Sequence, residues 1–207
     1  MNTLTLNHSG PELQTSSLTA SSPADYTLPE VDAAQQPLAR AWLKLALAAL
    51  VGSGVFSVLL VLARTPGVNR FLPGSDFFRT ALVVHVDLSV LVWFVAVAGL
   101  LWSLNQRRDA GALRRGAAWA ALLLAAVGAA GMALAAFIDP GTPVMANYVP
   151  MLDSRVFQAA LVVFGLGALL LVGLALARPM PVGPAVDGTG ALRFGLHTSV
   201  VAGAVAL

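Results

Sequence analysis

The stretch Phe78-Arg-Thr-Ala-Leu-Val-Val-His85-Val-Asp87-Leu-Ser-Val-Leu-Val-Trp93-Phe-Val-Ala-Val-Ala-Gly-Leu-Leu-Trp102 decides the fold. From Thr80 to Gln106 only His85 and Asp87 interrupt the apolar run. Such a run is long enough to cross a bilayer, which takes about 20 helical residues. An imidazole placed roughly a quarter of the way across it is costly unless something binds it. The expected partner of that ring is a metal centre, and in a membrane core the natural one is haem iron.

Working outward, four more apolar runs appear. Leu45 to Ala63 lies between Lys44 and Arg64, Gly116 to Ile138 follows a basic stretch, and Val156 to Ala177 ends at Arg178-Pro179. A last run begins at Phe194 and is still apolar at Leu207. Together with the histidine run, this predicts an all-α polytopic bundle of four full transmembrane helices and a truncated fifth. The end, Thr198-Ser-Val-Val-Ala-Gly-Ala-Val-Ala-Leu207, carries no interfacial aromatic and no closing charge. On that ground the chain is expected to be the N-terminal part of a longer protein.

Composition agrees. Of 207 residues, 57% are hydrophobic and 11% charged, where a soluble domain carries about 25% charge. The net charge of +2 sits in basic residues between the apolar runs. That is the pattern of topology-setting loops in a lipid bilayer and predicts no nucleic-acid partner. The chain has no cysteine, which excludes disulfides, thiolate-held iron-sulfur clusters and covalent C-x-x-C-H haem attachment. Residues 1–37 are polar and are expected to form a disordered tail, with His8 solvated in it. Residues 38–207 form the membrane region.

Loop charges set the expected orientation. Arg107, Arg108, Arg114 and Arg115 place the second connection in the cytoplasm, and Arg40 and Lys44 place the N-terminus there too. The connection from Asp139 to Arg155 falls outside, as does that from Arg64 to Arg79 despite its arginines. His85 then lies near the outer end of the second helix. The expected location is a bacterial cytoplasmic (inner) membrane.

Helical spacing puts His85, Ser89, Val92, Ala96 and Gly99 on one face, mostly small below the histidine. That face suits either a flat haem wall or close helix packing, and the first is preferred. A ligating imidazole needs its second nitrogen held. Ser57, at matching depth on the first helix, is the expected partner. Asp87 is about 200° away from His85 on an ideal helix; it is expected to pair with an external arginine or reach water. Arg79 can serve a haem propionate or anchor the interface. Trp42, Trp102 and Trp119 lie near helix ends as interfacial aromatics do. Gln158 reads as a helix-terminal hydrogen-bonding residue, and His197 as an interfacial or packing histidine. Ala117, Ala121, Ala125, Ala129 and Ala133 form a stripe that lets helices approach closely.

These residues carry a family resemblance. Phe77-Phe-Arg79-Thr-Ala-Leu-Val-Val-His85-Val-Asp87-Leu-Ser-Val-Leu-Val-Trp93-Phe resembles the second helix of haem-copper oxidase catalytic subunits. Leu59-Leu-Val-Leu-Ala-Arg64-Thr-Pro66 and Asn147-Tyr148-Val-Pro150-Met-Leu-Asp153 look like connecting segments of such subunits. The likeness covers residues 38–177 and is nearest to subunits of the cytochrome-c-oxidase subunit I and nitric-oxide-reductase type. It implies a many-helix bundle around a low-spin haem of b or a type and a haem-copper centre. His85 matches the axial ligand of the low-spin haem; the placing of Ser57 and Arg79 beside the cofactor rests on their positions along the helices.

The family's copper ligands, high-spin haem ligand and second low-spin ligand come from later helices. Copper and a second haem are therefore expected only in the full-length protein. The resemblance implies a terminal oxidase that takes electrons from a cytochrome or quinol, works with other oxidase subunits and reduces oxygen, with nitric oxide as the alternative substrate. The fragment alone is not expected to be active. Two other readings compete: a transporter or channel with Asp87 and His85 in a proton path, and a haem-b carrier pairing His85 with His197.

Overall fold

The computed structural model describes residues 33–73, 76–105, 111–144, 149–177 and 188–206. Most of the tail, with His8, lies outside the described residues, as do Arg107, Arg108, Asn147 and Tyr148. Five helices dominate: α1 (Gln36–Arg64), α2 (Phe77–Leu104), α3 (Ala112–Ile138), α4 (Arg155–Ala177) and α5 (Gly188–Ala206). The first four are long and apolar enough to cross a membrane. The chain is an all-α bundle of membrane helices.

Each helix boundary has a local cause. α1 starts at Gln36, earlier than its apolar run, with Pro37 in its first turn where no N–H is needed. Asp76 opens α2: its carboxylate accepts from the Arg79 N–H at 3.4 Å and pairs with the Arg79 side chain at 3.2 Å. Ser154 opens α4, its Oγ accepting from the Phe157 N–H at 3.1 Å while donating to Asp139 Oδ2 at 2.8 Å. That second bond ties the start of α4 to the end of α3. Between them, β1 (Thr142–Val144) and β2 (Met151–Asp153) pair antiparallel, Pro143 opposite Leu152. Gly141, at φ +57°, turns the chain into this hairpin against the Asp153 carbonyl, where a side chain could not fit. Gln158 bonds Asp153 and the Ser154 carbonyl at the same helix end.

Helix α2 is the centre of the bundle, with α1 on one side and α3 on another. It is not a plain α-helix. Asp87–Val92 form a π-helical turn, and the Trp93 N–H reaches back to the Leu88 carbonyl. The predicted small face below His85 is used for packing. Val92 and Ala96 are fully buried. A Cβ on Gly99 would lie 2.5 Å from the Trp42 ring. This corrects the haem-wall expectation for that stripe, because α1 already occupies it. It corrects Trp42 as well: the ring is core, 1% exposed, and not interfacial.

α3 and α4 approach each other backbone to backbone. A Cβ on Gly128 would sit 2.5 Å from the Phe164 backbone nitrogen, and one on Gly167 2.7 Å from that of Ala125. Ala121, Ala125 and Ala129 are buried there, so the small-residue stripe does its expected work. Large apolar residues such as Val51, Val61 and Leu123 face outward, as helices in lipid allow. α5 begins six residues before the apolar run that predicted it. It docks on α4 and on the far end of α2, where the Trp102 Nε1–H donates to Ser199 Oγ at 2.9 Å.

Candidate functional site

His85 lies on the third turn of α2, and α1 meets it with two serines one helical turn apart. His85 Nδ1 is 2.9 Å from Ser53 Oγ, 3.1 Å from Ser57 Oγ and 3.0 Å from the Ser53 carbonyl oxygen. The spacing of Ser53 and Ser57 puts both hydroxyls on one face of α1. The antiparallel course of α1 and α2 brings that face to the histidine. The structure thus joins Ser57 to His85, as depth matching in the sequence suggests. Sequence reasoning missed Ser53, although the i, i+4 pair of serines in an apolar run is a legible signal.

The backbone of His85 is held too. Its carbonyl accepts from Ser53 Oγ at 3.2 Å and from Ser89 Oγ at 2.8 Å. Ser89 therefore turns back onto its own helix and lines no open face. His85 Nε2 has no hydrogen bond among the described residues. The ring is partly buried, and Nε2 is not fully enclosed by protein. One nitrogen of the ring is fixed by protein and the other is presented outward.

Arg79 is not part of this cluster. Its side chain is 69% exposed and engaged with Asp76 at the mouth of α2. Arg64 lies over the Phe78 ring at 3.9 Å, and Arg70 over Phe71. None of these arginines is seen to pair with Asp87, which is 1% exposed and whose Oδ2 has no partner. This corrects the expectation of an arginine pair or contact with water. The cause is the central place of α2: the face opposite His85's neighbours is also interior.

His197 is partly buried, its Nε2 without a partner. It lies two residues from Ser199, which bonds Trp102. His85 and Trp102 are separated by 17 residues of α2, roughly 25 Å along the axis. His197 therefore cannot share an iron with His85, which removes the two-histidine haem carrier within these residues. Among the described residues no three His, Cys, Asp or Glu side chains come together as a metal site. Among the described residues, His85 is the side chain whose Nε2 is free to serve as a single metal ligand.

The chain is similar to an uncharacterized protein of Rickettsia prowazekii, with 32% identity over 161 residues; the match covers 64% of this chain and 30% of that protein. It is also similar to an uncharacterized protein of Aquifex aeolicus, with 30% identity over 130 residues, covering 62% of this chain and 31% of the other. The chain thus spans under a third of the length of these relatives. No family model matches the chain. No solved structure matches it either.

Proposed function

We propose that the chain is the haem-binding N-terminal part of a membrane oxidoreductase of the haem-copper oxidase type, with His85 an axial ligand of a low-spin haem. One observation carries the reading: Nδ1 of a membrane-helix histidine is clamped by Ser53 and Ser57 while Nε2 is left without a protein partner. A ligating imidazole in a membrane needs this division of labour between its nitrogens. The sequence resemblance around His85 points the same way.

The chain's own residues do three things in this reading. α1 orients the ring. The packed helices around it supply a low-dielectric wall that raises the importance of every hydrogen bond to it. The partly exposed ring edge leaves the ligand between this bundle and further helices, which the longer relatives have length to supply. Bound haem would add a one-electron redox centre, on the path to a haem-copper centre reducing oxygen or, in the alternative, nitric oxide. Cytochrome or quinol donors and accessory subunits belong to the same proposal, as does a bacterial inner-membrane location.

The test is haem titration of the purified chain in detergent micelles, followed by the Soret band. The wild type is expected to bind haem through one histidine, and added imidazole to complete a low-spin spectrum. His85→Ala is expected to abolish both signals, while His197→Ala leaves them intact. Equal binding by wild type and His85→Ala refutes the proposal.

A second reading has one observation in its favour. Asp87 is buried in the membrane helix with an unpartnered oxygen, as a proton or cation path would require. It predicts proton flux through the chain in vesicles that Asp87→Leu removes.

A further inference from the structure

We infer that the α1–α2 connection binds the headgroup of an anionic phospholipid, with Arg64 and Arg70 on its phosphate and Phe71 among its acyl chains. The inference uses neither His85 nor haem.

Residues 64–79 hold three arginines and one aspartate. This is the end of the bundle with fewer basic residues, so its arginines do not set topology. Arg79 is accounted for by Asp76, 3.2 Å away. Arg64 and Arg70 have no carboxylate partner among the described residues. Each lies over a phenyl ring instead, Arg64 over Phe78 at 3.9 Å and Arg70 over Phe71 at 5.0 Å. Stacking occupies the flat face of a guanidinium and leaves its N–H edge free. Arg40 and Arg114, at the other end of the bundle, donate theirs to Gln36 Oε1 and the Leu174 carbonyl. A free guanidinium edge is a bidentate donor to phosphate.

The connection is a built structure. The Val68 and Asn69 N–H groups reach the Thr65 carbonyl at 3.1 and 3.4 Å. The Phe71 N–H reaches that of Val68 at 3.0 Å, and the Leu72 N–H that of Asn69 at 3.2 Å. Gly67, at φ +82°, permits the turn. Asn69–Phe71 form a 3-10 turn against the end of α1. Val68, Leu72 and Pro73 are half-buried, while Phe71 is 76% exposed. Close to the end of a membrane helix, an exposed phenyl ring meets acyl chains and a cation beside it meets phosphate. A phospholipid supplies both groups in one molecule, which favours it over an acidic protein.

The chain has no cysteine, so Asn69→Cys gives one attachment point for a fluorophore. The labelled full chain is placed in mixed vesicles of phosphatidylcholine and phosphatidylglycerol, with a nitroxide quencher on the acyl chain of one lipid or the other. The ratio of the two quenching efficiencies reads the lipid preference at the connection. Phosphatidylglycerol is expected to quench more. Arg64→Gln and Arg70→Gln are each expected to lower the ratio by roughly 2- to 5-fold at low salt, the factor one cation near a charged surface supplies. Phe71→Ser is expected to weaken quenching by both lipids. Asp76→Asn with Arg79→Gln removes a pair that is already neutral, and is expected to leave the ratio unchanged. Equal quenching by the two lipids in the otherwise unaltered chain overturns the inference and leaves the arginines to an acidic protein. A fall in the Asp76/Arg79 variant as large as in the others also overturns it. So does loss of the preference on adding inorganic phosphate at matched ionic strength, which would make this a site for free phosphate. No variant touches His85 and no haem is added, so the result is independent of the haem titration.

Discussion

Gly128→Ala tests the packing that holds the bundle together. A methyl at Gly128 would meet the Phe164 nitrogen at 2.5 Å, Phe164 Cβ at 2.6 Å and the Ala160 carbonyl at 2.7 Å. Carbon contacts are comfortable at about 3.5–4.0 Å. These are backbone atoms and a Cβ, so no side chain can rotate away. α3 and α4 must separate by roughly 1 Å, a gap that forfeits a quarter to a half of each dispersion contact along the seam. Overpacking of this kind costs about 1–3 kcal/mol. Gly165 is the control on the same helix pair, because a Cβ there meets nothing within 4 Å. Gly165→Ala is expected to stabilise by roughly 0.5–1 kcal/mol, the gain of alanine over glycine in a helix. The assay is the unfolding midpoint in SDS, titrated from mild detergent and followed by tryptophan fluorescence. Gly128→Ala is expected to unfold at lower SDS than wild type, and Gly165→Ala at higher. Equal midpoints for the two variants would refute backbone-to-backbone contact between α3 and α4.

Two further outcomes follow from single side chains. Ser154→Ala removes the N-cap of α4 and its tie to Asp139, and is expected to cost about 1–2 kcal/mol; faster amide exchange at Phe157, with the middle of α4 unchanged, is the check. Asp87→Leu keeps the branching at Cγ while removing an oxygen that has no partner. It is expected to raise stability by about 1–3 kcal/mol in the same SDS titration, and a lower midpoint would mean that the carboxylate has a partner.

The sequence is legible where it is periodic or monotonous. Long uncharged runs between arginines give four helices, because lipid demands internally bonded backbone. The alanine stripe at every fourth residue gives the α3–α4 seam. Ser57 could be matched to His85 by counting in from the flanking arginines. What fails is any statement about which face of α2 is interior. Spacing alone does not tell that Asp87 and the stripe through Val92, Ala96 and Gly99 are both buried. α1 and α3 pack on different sides of the helix, so two of its faces are inside, while Val90 and Phe94 lie on an exposed one. The π-helical turn at Asp87–Val92 has no marker in the sequence, since neither proline nor glycine falls within it.

The position of α2 between α1 and α3 also explains why a histidine and an aspartate two residues apart differ so much. His85 finds donors and acceptors because α1 carries Ser53 and Ser57 at its depth. α3, which packs against the π-helical turn that starts at Asp87, carries only Ala, Leu, Val, Gly, Met, Phe and Ile from Ala120 to Ile138. It can offer a carboxylate only backbone groups, and those are committed to its own helix. The held Nδ1 of His85 and the unpartnered Oδ2 of Asp87 are therefore two results of one arrangement: serines at one depth of α1 and no polar side chain from Ala120 to Ile138 of α3. An exchange of chemistry tests this. Placing a serine at Ala129 or Met132 on α3 offers Asp87 a hydroxyl donor. In the Asp87 background one of these is expected to cost less stability than the same substitution beside Asp87→Leu. A difference below about 0.5 kcal/mol at both positions, the scatter for sites that do not interact, would refute the account of α3 as the wall against Asp87.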